Sequence, residues 1–293
     1  MKNIGIWINK RKHSVIPKVR EVYLWFKKRG INILLDTESA QALDIHDSSY
    51  SLRSLAKKSD CIMVWGGDGT ILSCARVVAP VGTPIYGINA GRLGFLTEVD
   101  IPDLFVGIER LINGEYSVEE RMMIQAMVYR DDEIVKELWG LNDAVISKTA
   151  LARLIWLKVY TDGEFINTYP ADGVIIASPT GSTAYSLSAG GPLVSPDLDL
   201  LVITPICPHT LSARPLVISP NRTVSIFTNI GDNLNIRGDI MLTVDGQCGY
   251  VLQPGDEVRI CRAPYKARFI KTQNNSFYKI LRDKLEEWNR THV

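Results

Sequence analysis

The chain has 293 residues, 46% hydrophobic and 22% charged, a composition typical of a globular protein with a sizeable core. Its 33 basic and 32 acidic residues give a net charge of +1, which argues against a nucleic-acid partner and against binding to an anionic membrane. No apolar run reaches the ~20 residues of a membrane-spanning helix. The five cysteines are widely spaced and form no C-x-x-C pair, so neither a disulfide framework nor a zinc site is indicated, and a reducing, cytoplasmic location is expected.

The first ~115 residues alternate short apolar runs with helical patterns, which is typical of βαβ units and a parallel sheet. Strands are predicted at residues 4–8, 31–35, 61–65 and 84–88. Helices are predicted at residues 15–28, 51–58, 70–78 and 101–113. Residues 36–49 are polar and without a period, so they are predicted to form a loop.

After Gly114 the pattern changes to short strands with a period of two, separated by turn signals such as Asp162-Gly163 and Asp245-Gly246. These strands are predicted at residues 122–129, 144–147, 155–160, 174–177, 200–204, 224–228, 241–244 and 258–261. Such spacing favours an all-β, sandwich-like domain. Residues 276–289 return to a helical period, and this tail is expected to pack back on the first domain. The predicted domains are therefore 1–115 plus 270–293, α/β, and 116–269, β-rich.

The sharpest local motif is Gly-Gly-Asp-Gly-Thr at residues 66–70, between a buried strand and a helix. Glycine lets the backbone approach a ligand closely, and free amides at a helix start favour phosphate. An aspartate in such a turn indicates a metal ion or a substrate hydroxyl nearby. The plainer alternative is a strand-to-helix turn in which Asp68 caps the helix. The P-loop and dinucleotide-fold fingerprints are both absent from the sequence.

A second motif is the hydroxyl-rich segment Ser-Pro-Thr-Gly-Ser-Thr-Ala-Tyr at residues 178–185, which follows Asp172 and a short strand. A turn so rich in donors can hold a phosphate or a ribose, and Tyr185 can stack on a base. Taken alone, a Ser/Thr-rich loop is the favoured interpretation. Asp245-Gly246 is interpreted as a plain type I′ hairpin turn, and His209 as a structural loop residue.

Five segments together resemble the NAD kinase family in order and spacing, over nearly the whole chain. They are the Gly-Asp motif at 66–72, Gly-Arg-Leu-Gly-Phe-Leu-Thr at 91–97, Leu-Asn-Asp at 141–143, and the segments 172–192 and 205–216. The Gly-Asp turn alone is shared with lipid kinases and phosphofructokinases, whereas the second and third segments are more specific. The fold that the resemblance implies is the one predicted above.

The resemblance implies an enzyme that phosphorylates the adenosine ribose 2′-hydroxyl of NAD with ATP or inorganic polyphosphate, giving NADP. It also implies Mg²⁺ or another divalent metal that arrives with the donor phosphates rather than at fixed protein ligands. A homo-oligomer, dimer or tetramer, is expected, with neither a nucleic-acid nor a membrane partner.

Site residues follow from the same resemblance. Asp68 resembles the catalytic proton acceptor, and Gly67 and Gly69 form the phosphate turn around it. Asn142 and Asp143 resemble the pair that holds the adenosine of NAD, with Asp143 where the family often has Glu. The other implied contacts, from the adenine side, the nicotinamide side and the pocket wall, are Phe95, Arg153, Asp172, Thr180, Thr183, Ala184, Tyr185, Ser186, Leu187, Ser188, Cys207 and Gln247. Pro170 stands where some relatives have Arg, which removes a phosphate contact.

Two other functions stay open on the sequence. A lipid kinase of the diacylglycerol or sphingoid type shares the Gly-Asp turn and a β-rich second half. The Asn-Asp pair and the hydroxyl-rich segment count against it. A non-enzymatic nucleotide-binding regulator is the second alternative, and the intact Asp68 counts against it.

Overall fold

The computed structural model describes residues 1–9, 13–45, 49–91, 94–149, 154–228, 240–273 and 276–291. The chain divides into two compact units, Met1–Glu120 together with Lys266–Val293, and Arg121–Tyr265. None of the helices in the described part of the chain has the length and apolar character needed to cross a bilayer.

The secondary structure follows the predicted change from α/β to β. The strands, in chain order, are β1 Asn3–Ile8, β2 Asn32–Asp36, β3 Ser49–Tyr50, β4 Cys61–Gly66, β5 Ile85–Asn89, β6 Val99–Asp100, β7 Ser117–Arg130, β8 Glu133–Gly140, β9 Asp143–Lys148, β10 Ile155–Thr161, β11 Glu164–Ala171, β12 Gly173–Ala177, β13 Leu201–Ile206, β14 Leu216–Ile218, β15 Val224–Thr228, β16 Ile240–Val244, β17 Cys248–Val251 and β18 Glu257–Lys271. The helices are α1 Ile16–Lys28, α2 Thr37–Leu43, α3 Leu52–Lys58, α4 Asp68–Val78, α5 Leu104–Asn113, α6 Tyr185–Ser188 and α7 Phe277–Thr291.

The first unit is built on a parallel sheet in the order β3–β2–β1–β4–β5. Every residue of β4 is buried, which explains its unbroken apolar sequence, because a parallel strand covered on both faces has no solvent side. On α1, Val19, Val22 and Phe26 lie on one helical stripe and are fully buried in the core of this unit.

The prediction of a loop over residues 36–49 is wrong, because Thr37–Leu43 forms α2. Asp36 caps this helix: its carboxylate accepts hydrogen bonds from the amides of Ser39 at 3.1 Å and Glu38 at 3.3 Å. Asp44 ends the helix in the left-handed region at φ 57°. This helix contains a single large apolar residue, Leu43, so no helical period stands out in its sequence.

The second unit is an antiparallel β-sandwich, as predicted. One sheet has the order β14–β13–β12–β9–β16–β17. The other runs β11–β10–β15–β18, with β7 beside β18 and β8 beside β7. Residues from both sheets, among them Ile124, Leu157, Ile146 and Ile176, form one continuous buried core.

Four strands of this unit, β8, β11, β14 and β17, were not predicted, and each lies at the edge of its sheet. Most side chains of these four strands are exposed or half-buried, so the strands carry few buried apolar residues and their sequence pattern is weak. Pro170 within β11 agrees with an edge position, where the missing amide costs no ladder hydrogen bond.

The C-terminal tail packs on the first unit, as predicted. After β18, the amides of Thr272 and Gln273 both donate to Glu98 Oε1 at 2.7 Å. The Phe277 ring at the start of α7 lies 6.2 Å from the ring of Phe95, between centroids. These contacts hold the tail against the segment that follows β5.

Candidate active site

The Gly-Asp turn joins β4 directly to α4. Gly67 is the N-cap residue, and Asp68 is the first residue of the helix. At Gly66 an added Cβ would lie 2.2 Å from Thr70 Oγ1, so the turn requires glycine there. At Gly67 an added Cβ would lie more than 4 Å from every described atom outside the neighbouring residues. Gly69 is exposed. The turn is therefore closed on the side of Gly66 and has space on the side of Gly67.

Asp68 does not cap its own helix; it binds another loop. Its Oδ2 accepts a hydrogen bond from the Phe95 amide at 2.9 Å, and its Oδ1 accepts one from the Leu96 amide at 3.1 Å. At Gly94 an added Cβ would lie 1.9 Å from Asp68 Oδ1, so only glycine allows this approach. The capping alternative is thus wrong. A carboxylate has about four acceptor sites, so each oxygen of Asp68 keeps capacity for a further donor.

The loop that Asp68 binds also places Phe95. Gly94 donates its amide to Thr97 Oγ1 at 3.3 Å. Two residues of α7 contact the Phe95 ring: the Lys284 ammonium lies 5.4 Å from its centroid, and the Phe277 ring lies 6.2 Å away, between centroids. Arg92 and Leu93 of the same motif lie outside the described residues.

Asn142 and Asp143 lie in the second unit. Their backbone amides are hydrogen-bonded, but their side chains form no hydrogen bond with any described residue. Asp143 starts β9 and is only 4% exposed. Burial, together with the charge of nearby Asp245, raises the pKa of the Asp143 carboxyl from 3.8 to about 7. Buried polar groups are nearly always paired, so this carboxyl indicates a place where a ligand or water completes the hydrogen bonds.

Tyr185 lies among three other predicted site residues. It begins α6 and is 46% exposed. Partial burial and the neighbouring Cys207, Asp172 and Asp143 raise the pKa of its phenol. The structure therefore brings Asp143, Asp172, Tyr185 and Cys207 into one neighbourhood of the second unit. Cys207 adopts φ 44°, an unusual value for a residue other than glycine.

Asp172 forms an ion pair that sequence analysis missed. Lys148 at the end of β9 places its Nζ 2.6 Å from Asp172 Oδ1. The Lys148 amide also donates to the Asp172 carbonyl at 3.0 Å. A lysine at a strand end is usually solvated, so no local signal distinguished it.

Several hydroxyls of the Ser/Thr-rich segment support its own conformation. Ser186 is fully buried, with its Oγ 3.0 Å from Thr204 Oγ1. Thr183 donates to the Thr180 carbonyl at 3.2 Å, and Thr180 Oγ1 accepts from Arg121 Nη1 at 3.5 Å. Ala184 and Leu187 are half-buried and Ser188 is exposed, so these three have surface to offer a ligand.

The remaining predicted residues are Gln247 and Arg153. Gln247 closes the turn between β16 and β17 by donating its amide to the Val244 carbonyl at 3.0 Å. Arg153 lies outside the described residues. In the described part of the chain, no three His, Cys, Asp or Glu side chains come together as a potential metal cage.

The fold is shared with solved dinucleotide kinases. The crystal structure of yeast NADH kinase complexed with NADH superposes with a TM-score of 0.84 at 25% identity, covering 98% of this chain and 88% of that one. An NAD kinase from Archaeoglobus fulgidus in complex with ATP gives a TM-score of 0.73 at 24% identity, covering 95% and 98%. The second likeness supports the fold alone.

Sequence comparison is more specific. The family model of the ATP-NAD kinase N-terminal domain matches residues 4–116, and that of the C-terminal domain matches residues 141–272. The NAD kinase of Desulforamulus reducens is 50% identical over 288 residues, 98% of each chain. That of Moorella thermoacetica is 44% identical over 287 residues, 98% of this chain and 90% of the relative. The chain belongs to the NAD kinase family, so the resemblance is confirmed.

Proposed function

We propose that this protein is an NAD kinase that transfers the γ-phosphoryl group of ATP to the adenosine ribose 2′-hydroxyl of NAD. The observation that carries the proposal is the Asp68 carboxylate, held beside an open glycine turn by the amides of Phe95 and Leu96. The 50% identity to a relative named NAD kinase supports the choice of substrate.

Phosphoryl transfer requires positioning and charge stabilisation more than covalent chemistry. In the proposed step the 2′-oxygen attacks the γ-phosphorus, the bond from phosphorus to the leaving ADP breaks, and the hydroxyl proton passes to Asp68. A carboxylate is too weak a base to ionise a ribose hydroxyl in advance. The proton therefore moves late, after the bond to ADP has loosened. Fixed amide donors keep Asp68 in one orientation throughout.

Asn142 and Asp143 are proposed to bind the adenosine of NAD, because their side chains are placed by the backbone and left without protein partners among the described residues. Tyr185, with Asp172, Cys207 and the 183–188 segment, is proposed to form the nicotinamide side. Phe95 is proposed to contact the adenine, Thr180 to bind the substrate, and Gln247 to line the pocket. Gly67 and Gly69 would admit the donor phosphates.

A divalent cation such as Mg²⁺ fits these residues only if it arrives bound to the phosphates of ATP. Mg²⁺ prefers oxygen ligands and keeps several waters when it binds with phosphates. In the described part of the chain the side chains that could meet it do not form a cage of three, and Asp68 is the carboxylate that would share it with the phosphate oxygens. When bound, the ion neutralises charge on the transferring group. Use of inorganic polyphosphate and assembly into a dimer or tetramer belong to the same proposal and rest on the family resemblance.

The test is turnover. Purified protein is incubated with ATP, Mg²⁺ and NAD, or with NADH in parallel, and NADP or NADPH is measured with an enzyme specific for the phosphorylated dinucleotide. We expect product to form, and Asp68→Asn serves as the control for contaminating kinase. Transfer of labelled phosphate to diacylglycerol instead would favour the lipid kinase. Calorimetric binding of NAD without turnover would favour the regulator.

A further inference from the structure

Asp245 lies in the turn between β16 and β17, and its burial is not explained by that turn. Asp245 and Gly246 have φ values of 53° and 62°, as in a type I′ turn. Asn-Gly forms such turns as well as Asp-Gly does, so the turn needs no carboxylate. Asp245 is nevertheless only 8% exposed. A buried carboxylate must have a compensating set of donors.

The donors are three consecutive backbone amides of residues 141–143. Asp245 Oδ1 accepts from the Asn142 amide at 2.8 Å and from the Asp143 amide at 3.4 Å. Its Oδ2 accepts from the Leu141 amide at 3.1 Å. The Asp245 amide in turn donates to the Asp143 carbonyl at 3.0 Å. One residue thus binds four of the six backbone polar groups in the 141–143 segment.

Ser178 binds the other two. Its amide donates to the Asn142 carbonyl at 2.8 Å, and its hydroxyl donates to the Leu141 carbonyl at 2.5 Å. Gly181 packs on the same peptide so closely that an added Cβ would lie 2.1 Å from the Asn142 carbonyl oxygen. The conformation of residues 141–143 is therefore fixed entirely through the backbone.

We infer that Asp245 is a positioning residue of the dinucleotide site, which fixes the backbone of residues 141–143 so that the side chains of Asn142 and Asp143 are held ready for NAD. The inference rests on the proposed function of those two residues. Its physical basis is that the backbone contacts leave both side chains without a role in holding the segment. Such preorganisation lowers the entropy cost of binding.

Asp245 also controls the charge of Asp143. Amide donors stabilise the ionised Asp245 carboxylate, whose charge, added to burial, raises the pKa of Asp143 to about 7. Among the described residues, Tyr185 of α6 is the other titratable group that interacts with Asp143, and around it lie Cys207 and the Asp172–Lys148 ion pair. An ionised Asp143 accepts hydrogen bonds from the hydroxyl or amino groups of a nucleoside. Affinity for NAD is therefore expected to rise as the pH increases through about 7.

The experiment compares Asp245→Asn with Asp162→Asn. Asp162 is a matched control because it too has a positive φ and precedes a glycine in a hairpin of the second unit. Its carboxylate accepts a single backbone amide, that of Thr223 at 2.9 Å. Its side chain, however, is 39% exposed and pairs with Arg222. The Michaelis constants for NAD and ATP are measured, and NAD binding is followed by calorimetry between pH 5.5 and 8.5.

We expect Asp245→Asn to raise the Michaelis constant for NAD at least ~10-fold, because charge-assisted hydrogen bonds are lost, and to change that for ATP less than about twofold. The pH midpoint of NAD binding should fall, since the charge that raises the Asp143 pKa is gone. Asp162→Asn should change neither quantity. A folded Asp245→Asn protein with unchanged NAD affinity and pH midpoint would overturn the inference.

Ser178→Ala tests the same segment if Asp245→Asn does not fold. It removes the donor to Leu141 but leaves the charge beside Asp143, so NAD affinity should fall while the pH midpoint stays. Unchanged NAD affinity would again contradict the inference. Failure of the proposed function is distinguishable, because the unmodified protein would then form no NADP at all.

Discussion

Replacing Asp143 with Asn should stabilise the protein at alkaline pH while it harms NAD binding. The Asp143 carboxyl is buried beside Asp245, and its pKa in the folded state is about 7 against 3.8 ordinarily. The folded state therefore holds a proton that the unfolded state releases, so stability falls as the pH rises from about 4 to about 7. At ~1.4 kcal/mol per pKa unit, the loss reaches up to about 4 kcal/mol at pH 8. Asn has the same shape and does not ionise, so this loss is removed.

The free energy of unfolding by urea, measured from pH 4 to pH 8 for both proteins, checks this expectation. The two curves should lie close together at pH 4 and separate as the pH rises, with Asp143→Asn the more stable at pH 8. Asp172→Asn is the control: that carboxylate is paired with Lys148 at 2.6 Å, so its removal should bring no alkaline gain. Parallel curves for the unmodified protein and Asp143→Asn would show that Asp143 is already ionised at low pH, and would refute the reasoning.

Three further outcomes test the proposed mechanism. Asp68→Asn should bind NAD by calorimetry yet lose at least ~100-fold in kcat, the usual scale for a general base; near-normal kcat would place the proton acceptor elsewhere. Asn142→Ala should raise the Michaelis constant for NAD at least ~10-fold and that for ATP far less; the opposite pattern would mean that the two subsites are interchanged. Excess chelator should abolish turnover while Tm, followed by circular dichroism, hardly moves; a large drop in Tm would reveal a structural metal.

Sequence analysis predicted the fold well wherever burial is complete. In β4 all residues are buried, and the run Cys-Ile-Met-Val-Trp identifies the strand without further information. It failed at α2, which has one large apolar residue, and at the four edge strands of the sandwich, whose side chains are mostly exposed or half-buried. The strength of a sequence pattern thus follows how many sides of an element are covered.

The site could be predicted only as far as its motifs are local. Asp68, Asn142 and Asp143 stand in short segments whose composition already indicates chemistry. Asp245 and Asp162 each precede a glycine, and both have a positive φ. The Asp245 carboxylate is nevertheless buried and accepts three backbone amides, whereas the Asp162 carboxylate is partly exposed. The two carboxylates differ because Asp245, between β16 and β17, binds the start of β9 about a hundred residues earlier in the chain. No local sequence pattern predicts a contact over that separation.

The contacts of Glu98 determine the order in which a newly made chain can complete its fold. Its carboxylate accepts the amides of Thr272 and Gln273, and Lys271 forms an ion pair with it at 3.0 Å. The strand that pairs with β5 through Phe269 and Ile85 comes from the same late segment. The unit that leaves the ribosome first is therefore finished last, after the whole sandwich has been synthesised. Until then that side of β5 is paired by β6 at Ile88 and Asn89 but lacks a strand partner at Ile85, and this stretch of edge is open to other growing chains.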